Sequence, residues 1–197
     1  MTADVLRQIP NVITVVRVLL VIPTTWYLIE SEYLHALVLM AVAGASDAVD
    51  GWLARRFGWV TRFGATLDPM ADKILVGVLF IALMLQGKLP LWVAGIAIAR
   101  DVVIVGGATA YRILFKHIEV EPTLLSKANT ALQIVMLLVL LLSLCGFETL
   151  SPIARAVIDP YGYWLVSALA IASGVDYVVT WSKRAAAESA AQRASRS

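Results

Sequence analysis

Six apolar runs, each close to the length of a bilayer-spanning helix, account for most of this chain of 197 residues. They cover residues 12–29, 34–53, 67–85, 89–114, 124–144 and 161–181. About 20 apolar residues in a helix are enough to cross the hydrocarbon core of a bilayer. The composition agrees: 60% of residues are hydrophobic and only 15% charged, against about 45–50% and about 25% in a soluble domain. The expected fold is an all-α integral membrane protein, six transmembrane helices in one bundle. Short connections make neighbouring helices antiparallel. No linker, second domain or repeat is visible, so residues 1–182 read as one membrane domain. Residues 183–197, "KRAAAESAAQRASRS", read as a basic tail, helix-prone at first and then flexible.

Charge in the loops sets the orientation. Arg7 lies in the N-terminal arm, Arg55, Arg56 and Arg62 in the second loop, Arg112 and Lys116 in the fourth, and Lys183, Arg184, Arg193 and Arg196 in the tail. The other side holds Glu30, Glu32, Lys88, Glu148, Arg155 and Asp159. Both termini are therefore expected on the cytoplasmic side. Arg17 interrupts the first apolar run and no small-residue cleavage pattern follows it, so the run reads as a retained helix and not a signal peptide. The single cysteine, Cys145, cannot form an intrachain disulfide and reads as a small core residue. A net charge of +2 is too small to suggest nucleic acid as a partner.

Against this apolar background, "SDAVDGWLARRFGWVTRFGATLDPMADK" (residues 46–73) places Asp47, Asp50, Asp68 and Asp72 within 26 residues. Asp47 and Asp50 fall in the last turns of the second helix. Asp68-Pro69 reads as a cap and a first-turn proline, which puts Asp68 and Asp72 in the first turns of the third. Spacings of three and four keep each pair on one helix face. Carboxylates facing water at a membrane boundary are common, but Asp47 and Asp50 are flanked by apolar and small residues, and an ionisable group inside a membrane segment signals function. Two such pairs repel unless protonated or neutralised by divalent cations. Oxygen ligands with no nearby histidine or cysteine suit Mg²⁺ or Mn²⁺. His35 and His117 fall in different loops and read as ordinary interfacial residues. Gly44, Ala45, Gly51, Ala54, Gly64 and Ala65 line the same region, serving close helix packing or the approach of a base or pyrophosphate to the backbone. Arg55, Arg56 and Arg62 follow, as topology signals or as phosphate clamps. Divalent metal, arginine and small residues together point to phosphoryl chemistry.

The pattern Asp47-x2-Asp50-Gly51-x2-Ala54-Arg55-x8-Gly64-x3-Asp68-x3-Asp72 resembles the signature of the CDP-alcohol phosphotransferases at every position and every gap. The resemblance implies six transmembrane helices and an enzyme that displaces CMP from a CDP-linked lipid by an alcohol hydroxyl. It also implies that Asp47, Asp50 and Asp68 bind a pair of metal ions and the CDP pyrophosphate. Asp72 completes the metal site and acts as general base. Gly51 and Ala54 make room for the nucleotide, which Arg55 and Gly64 support. A homodimer is expected from the same likeness.

Three further segments resemble the glycerol-lipid branch of that family. "IPNVITVVR" places Asn11, Thr14 and Arg17 three residues apart on the first helix. They read as capping plus a snorkelling arginine, or as groups facing the substrate phosphates. Arg100-Asp101 lies inside the fourth run, as structural glue or as a phosphate clamp for the acceptor. The sequence "RDV" and the pattern Ser126-Lys127-x-Asn129-Thr130-x2-Gln133 look like the cardiolipin synthase version, whereas glycerophosphate enzymes have glutamate after the arginine and lysine where Asn129 stands. Lys127 reads as a boundary charge or a substrate-phosphate ligand. The expected reaction joins CDP-diacylglycerol to phosphatidylglycerol. Glycerol 3-phosphate is the alternative acceptor, and a cation transporter is the distant alternative, disfavoured because the aspartates lie away from the midplane and no repeat is visible. A short N-terminus without an arginine-rich presequence favours a bacterial inner membrane with the active site facing the cytoplasm.

Overall fold

The computed structural model describes residues 9–57, 62–115 and 123–194, and side-chain surroundings for these except 9–12, 14, 47, 48, 50–55, 62–72, 110–115 and 184–194. Every regular element among the described residues is helical: α1 (Ile9–Ile29), α2 (Tyr33–Phe57), α3 (Arg62–Leu85), α4 (Leu91–Phe115), α5 (Leu124–Leu144), α6 (Leu150–Val157) and α7 (Tyr163–Ala194). A π-helical segment, Ile158–Gly162, separates the last two, and Asp159 within it leaves helical geometry (φ −105°, ψ 115°). Among the described residues, three stretches are long and apolar enough to cross a membrane: Leu91–Thr109, Leu124–Leu144 and Leu150–Lys183. Val15–Ile29, Tyr33–Ser46 and Lys73–Leu85 are shorter apolar helices. The chain is an integral membrane protein whose regular elements, among the described residues, are all helical.

The helices gather into two compact units. The first holds Met1–Pro90 and Ile134–Asp159, the second Leu91–Gln133 and Pro160–Ser197, so the boundary falls inside α5. In the first unit α1 packs against both α2 and α3. Leu28, Ala36, Leu79 and Leu83 are completely buried there. The far ends of α1 and α3 are tied together by the Gln86 side chain, whose Nε2 donates to the Leu28 carbonyl at 2.6 Å. Pro23 interrupts the N–H ladder of α1. The next two residues turn back on it, the hydroxyl of Thr24 donating to the Leu20 carbonyl and that of Thr25 to Val21.

Both α1 and α3 end in the same way. The N–H of Glu32 reaches the Tyr27 carbonyl at 2.8 Å and that of Ser31 reaches Leu28 at 3.0 Å. Lys88 and Gly87 make the equivalent pair with Leu83 and Met84, both at 2.9 Å. This closure needs one left-handed residue just past the helix. Gly87 supplies it at φ +67°, and Ser31 adopts it at φ +62° despite its Cβ.

In the second unit α4 packs on α7. Val93, Ala94, Val166 and Ala170 form its buried apolar contact surface. The Trp92 and Trp164 rings lie 5.1 Å apart. Gly107 leaves room for Tyr177, since a Cβ there would lie 3.3 Å from the ring's Cε1. Thr123 caps α5, its hydroxyl accepting from the Ser126 N–H at 3.2 Å.

The fold corrects one local expectation and adds one element. Asp68 does not cap a helix: α3 begins at Arg62, so Asp68 and Pro69 are its seventh and eighth residues. An internal proline lacks the N–H that would bond the Ala65 carbonyl, a loss that membrane helices tolerate where surrounding groups compensate. A short helix, α6, occupies the stretch between the fifth and sixth apolar runs, where hydropathy predicts only a connection. The last helix also continues without a break through Ala194, into the segment read as tail.

Candidate active site

The signature lies on consecutive helices of the first unit. Asp47, Asp50, Gly51, Ala54 and Arg55 are on α2, and Gly64, Asp68 and Asp72 on α3. Their side-chain positions lie outside the described residues, as do those of Asn11 and Thr14 on α1; Arg7, Lys116, His117 and Arg196 are outside altogether. The helical backbone keeps the sequence spacing, three residues within the first aspartate pair and four within the second, so each pair occupies one face of its helix.

The described side chains immediately along both helices line one cavity. Met40, Ala41, Ala43, Gly44 and Ala45 of α2 and Leu75 and Val76 of α3 enclose it with Arg17, Ile134 and Leu138. Its volume is about 270 Å³ and its walls are almost wholly apolar. Ala45 is two residues before Asp47, and Leu75 three after Asp72. A Cβ on Gly44 would meet nothing within 4 Å, so the glycine widens this space. Among the described residues that line it, Arg17 is the one that is charged, and it is 1% exposed. The cavity therefore combines an apolar slot with a fixed positive charge next to the aspartate turns.

Arg100 is placed otherwise. It is buried in the second unit, and its three guanidinium nitrogens all donate to this chain. Nη1 meets Asp101 Oδ1 at 2.6 Å, Nη2 meets the hydroxyls of Ser126 at 2.5 Å and Ser173 at 2.9 Å, and Nε reaches Ser173 at 3.3 Å. These bonds tie α4, α5 and α7 together within the second unit. Lys127, the next residue after Ser126, is exposed.

Two amides on α5 stand out beyond the residues singled out as ligands. Asn129 is 0% exposed and Gln133 1%. Neither the Asn129 amide atoms nor Gln133 Nε2 has a hydrogen-bond partner among the described residues. Burying such groups unpaired costs about 1–3 kcal/mol each. The spacing Ser126-x2-Asn129-x3-Gln133 on an otherwise apolar helix was the sequence signal for them. His35 behaves as expected of an interfacial residue, exposed, 3.3 Å from Glu32 and stacked on Tyr27.

Comparison with known proteins gives this arrangement a place. Residues 7–182 match the model of the family described as CDP-alcohol phosphatidyltransferase. A probable CMP-forming cardiolipin synthase of Drosophila melanogaster is 32% identical over 193 residues, covering 88% of this chain and 58% of its own length. A chloroplastic CDP-diacylglycerol–glycerol-3-phosphate 3-phosphatidyltransferase of Oryza sativa subsp. japonica is 31% identical over 192 residues, covering 88% and 57%. The chain thus spans little more than half of these two relatives. A CDP-diacylglycerol–glycerol-3-phosphate 3-phosphatidyltransferase of Rickettsia bellii is 32% identical over 175 residues, covering 87% of this chain and 93% of its own. With the signature complete and the family model matched over nearly the whole chain, the protein belongs to the CDP-alcohol phosphatidyltransferase family.

Proposed function

We propose that this chain transfers the phosphatidyl group of CDP-diacylglycerol to a glycerol-type alcohol with release of CMP, and that the alcohol is phosphatidylglycerol, giving cardiolipin. The observation that carries the reading is the placement of Asp47, Asp50, Asp68 and Asp72 on consecutive helices of one unit, beside a mostly apolar cavity holding the buried Arg17. An apolar slot suits the diacylglycerol part of the donor, and Arg17 suits the phosphate where that part meets the headgroup.

The donor set fits a hard divalent cation, since residues 46–73 offer four carboxylates and neither histidine nor cysteine. Asp47, Asp50, Asp68 and Asp72 would hold Mg²⁺ or Mn²⁺, two ions per site, which when bound neutralise the diphosphate and stabilise CMP as it leaves. Asp72 takes the proton from the acceptor hydroxyl as its oxygen attacks the phosphatidyl phosphorus. The bond from that phosphorus to CMP breaks, with no covalent enzyme intermediate. Gly51 and Ala54 leave space for the cytidine nucleotide, with Arg55 and Gly64 supporting it. Asn11, Thr14 and Lys127 complete the polar contacts to the substrates.

The acceptor assignment rests on charge. Arg100 is engaged by Asp101, Ser126 and Ser173, and position 129 carries a neutral amide. Fewer free cations favour a phosphodiester acceptor over a phosphomonoester. The second reading, glycerol 3-phosphate, is favoured by the Rickettsia bellii relative, whose length this chain nearly covers. In our reading the chain crosses the membrane six times as one domain, residues 1–182, followed by a basic tail, 183–197. Both termini and the aspartates face the cytoplasm of a bacterial inner membrane, and the working unit is a homodimer. Offering phosphatidylglycerol and glycerol 3-phosphate together to the purified protein with CDP-diacylglycerol and Mg²⁺ tests the assignment. Cardiolipin as the lipid product agrees with it, and phosphatidylglycerophosphate transfers the chain to the second reading.

A further inference from the structure

The helix α6, eight residues long, is the shortest α-helix among those described and too short to cross the hydrocarbon by itself, and its exposed side is apolar. At about 100° per residue, Leu150, Ile153 and Val157 fall within one sector of roughly 60°. They are 52%, 57% and 58% exposed. The adjoining sector holds Ser151, Ala154 and Ile158, all buried and facing the protein. Opposite the exposed apolar sector lie Pro152, Arg155 and Ala156. That side borders a surface pocket of about 590 Å³, whose lining includes the charged residues Glu148, Arg155 and Asp159. The helix thus has one flank on the protein, one apolar flank and one wet flank.

Its depth is fixed by its tether. The Ser151 hydroxyl donates to the Leu142 carbonyl at 2.8 Å and accepts the Phe147 N–H at 2.9 Å. Leu142 lies in the last turn of α5, a stretch apolar enough to span the membrane. The start of α6 is therefore held at the level where that span ends. Downstream, Asp159 leaves helical geometry before α7, which makes up most of the candidate span Leu150–Lys183. Tyr161 and Trp164, at this entry, are 76% and 65% exposed, the residue types that collect at the membrane–water boundary.

We infer that α6 lies in the plane of the membrane, with Leu150, Ile153 and Val157 seated in the headgroup–acyl boundary of the lipid surface and Arg155 in water. The occupant of its apolar face is lipid, because that face continues from the end of a membrane span and the opposite side carries the exposed charge of Arg155 beside Glu148 and Asp159. Exposed apolar flanks of in-plane helices bind the interfacial region in this way.

Site-directed spin labelling in phospholipid vesicles tests this. With Cys145→Ala as background, single cysteines replace in turn Leu150, Ile153 and Val157, then Pro152, Arg155 and Ala156. At the first three, collision with oxygen is expected to exceed collision with a water-soluble nickel complex severalfold; at the last three the ratio reverses. High nickel access at all six positions overturns the inference, as does uniform oxygen dominance. Labels at 150, 153 and 157 shielded from both reagents also overturn it, by showing protein on that face. The unsubstituted chain gives an independent reading through a phospholipid carrying a diazirine near its glycerol backbone. Photolysis is expected to label the peptide containing Leu150–Val157 on these apolar residues, and its absence from the labelled peptides counts against the inference.

Discussion

Arg100 Nη2 meets the Ser126 hydroxyl at 2.5 Å, joining the middle of α4 to the first turn of α5. The same nitrogen reaches Ser173 on α7. Removing the guanidinium takes a donor from Asp101, Ser126 and Ser173 at once, whereas removing one hydroxyl loses a single partner. Arg100→Ala is expected to cost about 3 kcal/mol or more, and Ser173→Ala about 1 kcal/mol. Thermal unfolding of purified protein in detergent measures both. An Arg100→Ala variant of unchanged stability but raised KM for the acceptor contradicts the cross-tie.

Ser31 and Gly87 close two helices with the same hydrogen-bond pattern, but only Gly87 is free of a Cβ. The left-handed conformation costs a non-glycine residue about 1–2 kcal/mol, part of which glycine returns through its looser unfolded state. Ser31→Gly is expected to stabilise by about 0.5–1 kcal/mol, and Gly87→Ala to destabilise by about 1 kcal/mol. Opposite shifts in melting temperature are the expected signature.

Gly44 lies on the cavity with open space beyond it. Gly44→Ala is expected to leave donor affinity near wild type, while Gly44→Phe fills the slot and lowers it at least about tenfold, a loss of about 1.4 kcal/mol. Equilibrium binding of CDP-diacylglycerol in mixed micelles distinguishes the two. Equal affinities for both variants remove this cavity from the donor site.

Burial pushes the Cys145 thiol above its ordinary pKa of 9.0. A raised pKa favours the neutral thiol in the folded state, so its contribution to stability is complete below the unfolded value and declines as pH rises through the folded one. Alkylation by iodoacetamide at pH 8 is expected to be slower in the folded protein than after denaturation. Equal rates contradict the shift.

Much of the fold was readable from hydropathy, and the reasons for the rest are local. The run 124–144 coincides with α5, and the runs ending at Ile29 and Leu85 stop where α1 and α3 stop, because a left-handed residue follows each apolar stretch. Helix starts were less legible. Hydrophobicity marks the lipid boundary, while the α3 backbone stays helical beyond it to Arg62 and encloses Asp68 and Pro69. The helix α6 escaped notice because eight residues with Ser, Pro and Arg among them do not form an apolar run. The aspartates stand out in the sequence by their spacing, and their side chains lie outside the described residues. Arg100 is legible as a charge inside an apolar run, but its partner Ser173 lies 73 residues away, and no local pattern announces such a pairing.

The most direct test concerns Asp72. Purified wild-type protein and Asp72→Asn are compared for CMP release from CDP-diacylglycerol with phosphatidylglycerol and Mg²⁺, alongside binding of CDP-diacylglycerol. The substitution keeps size and hydrogen-bonding capacity but removes the base. Turnover is expected to fall by about 10²–10⁴-fold while donor binding stays within a few-fold of wild type. An Asp72→Asn enzyme that releases CMP at the wild-type rate contradicts the proposed role of the carboxylate.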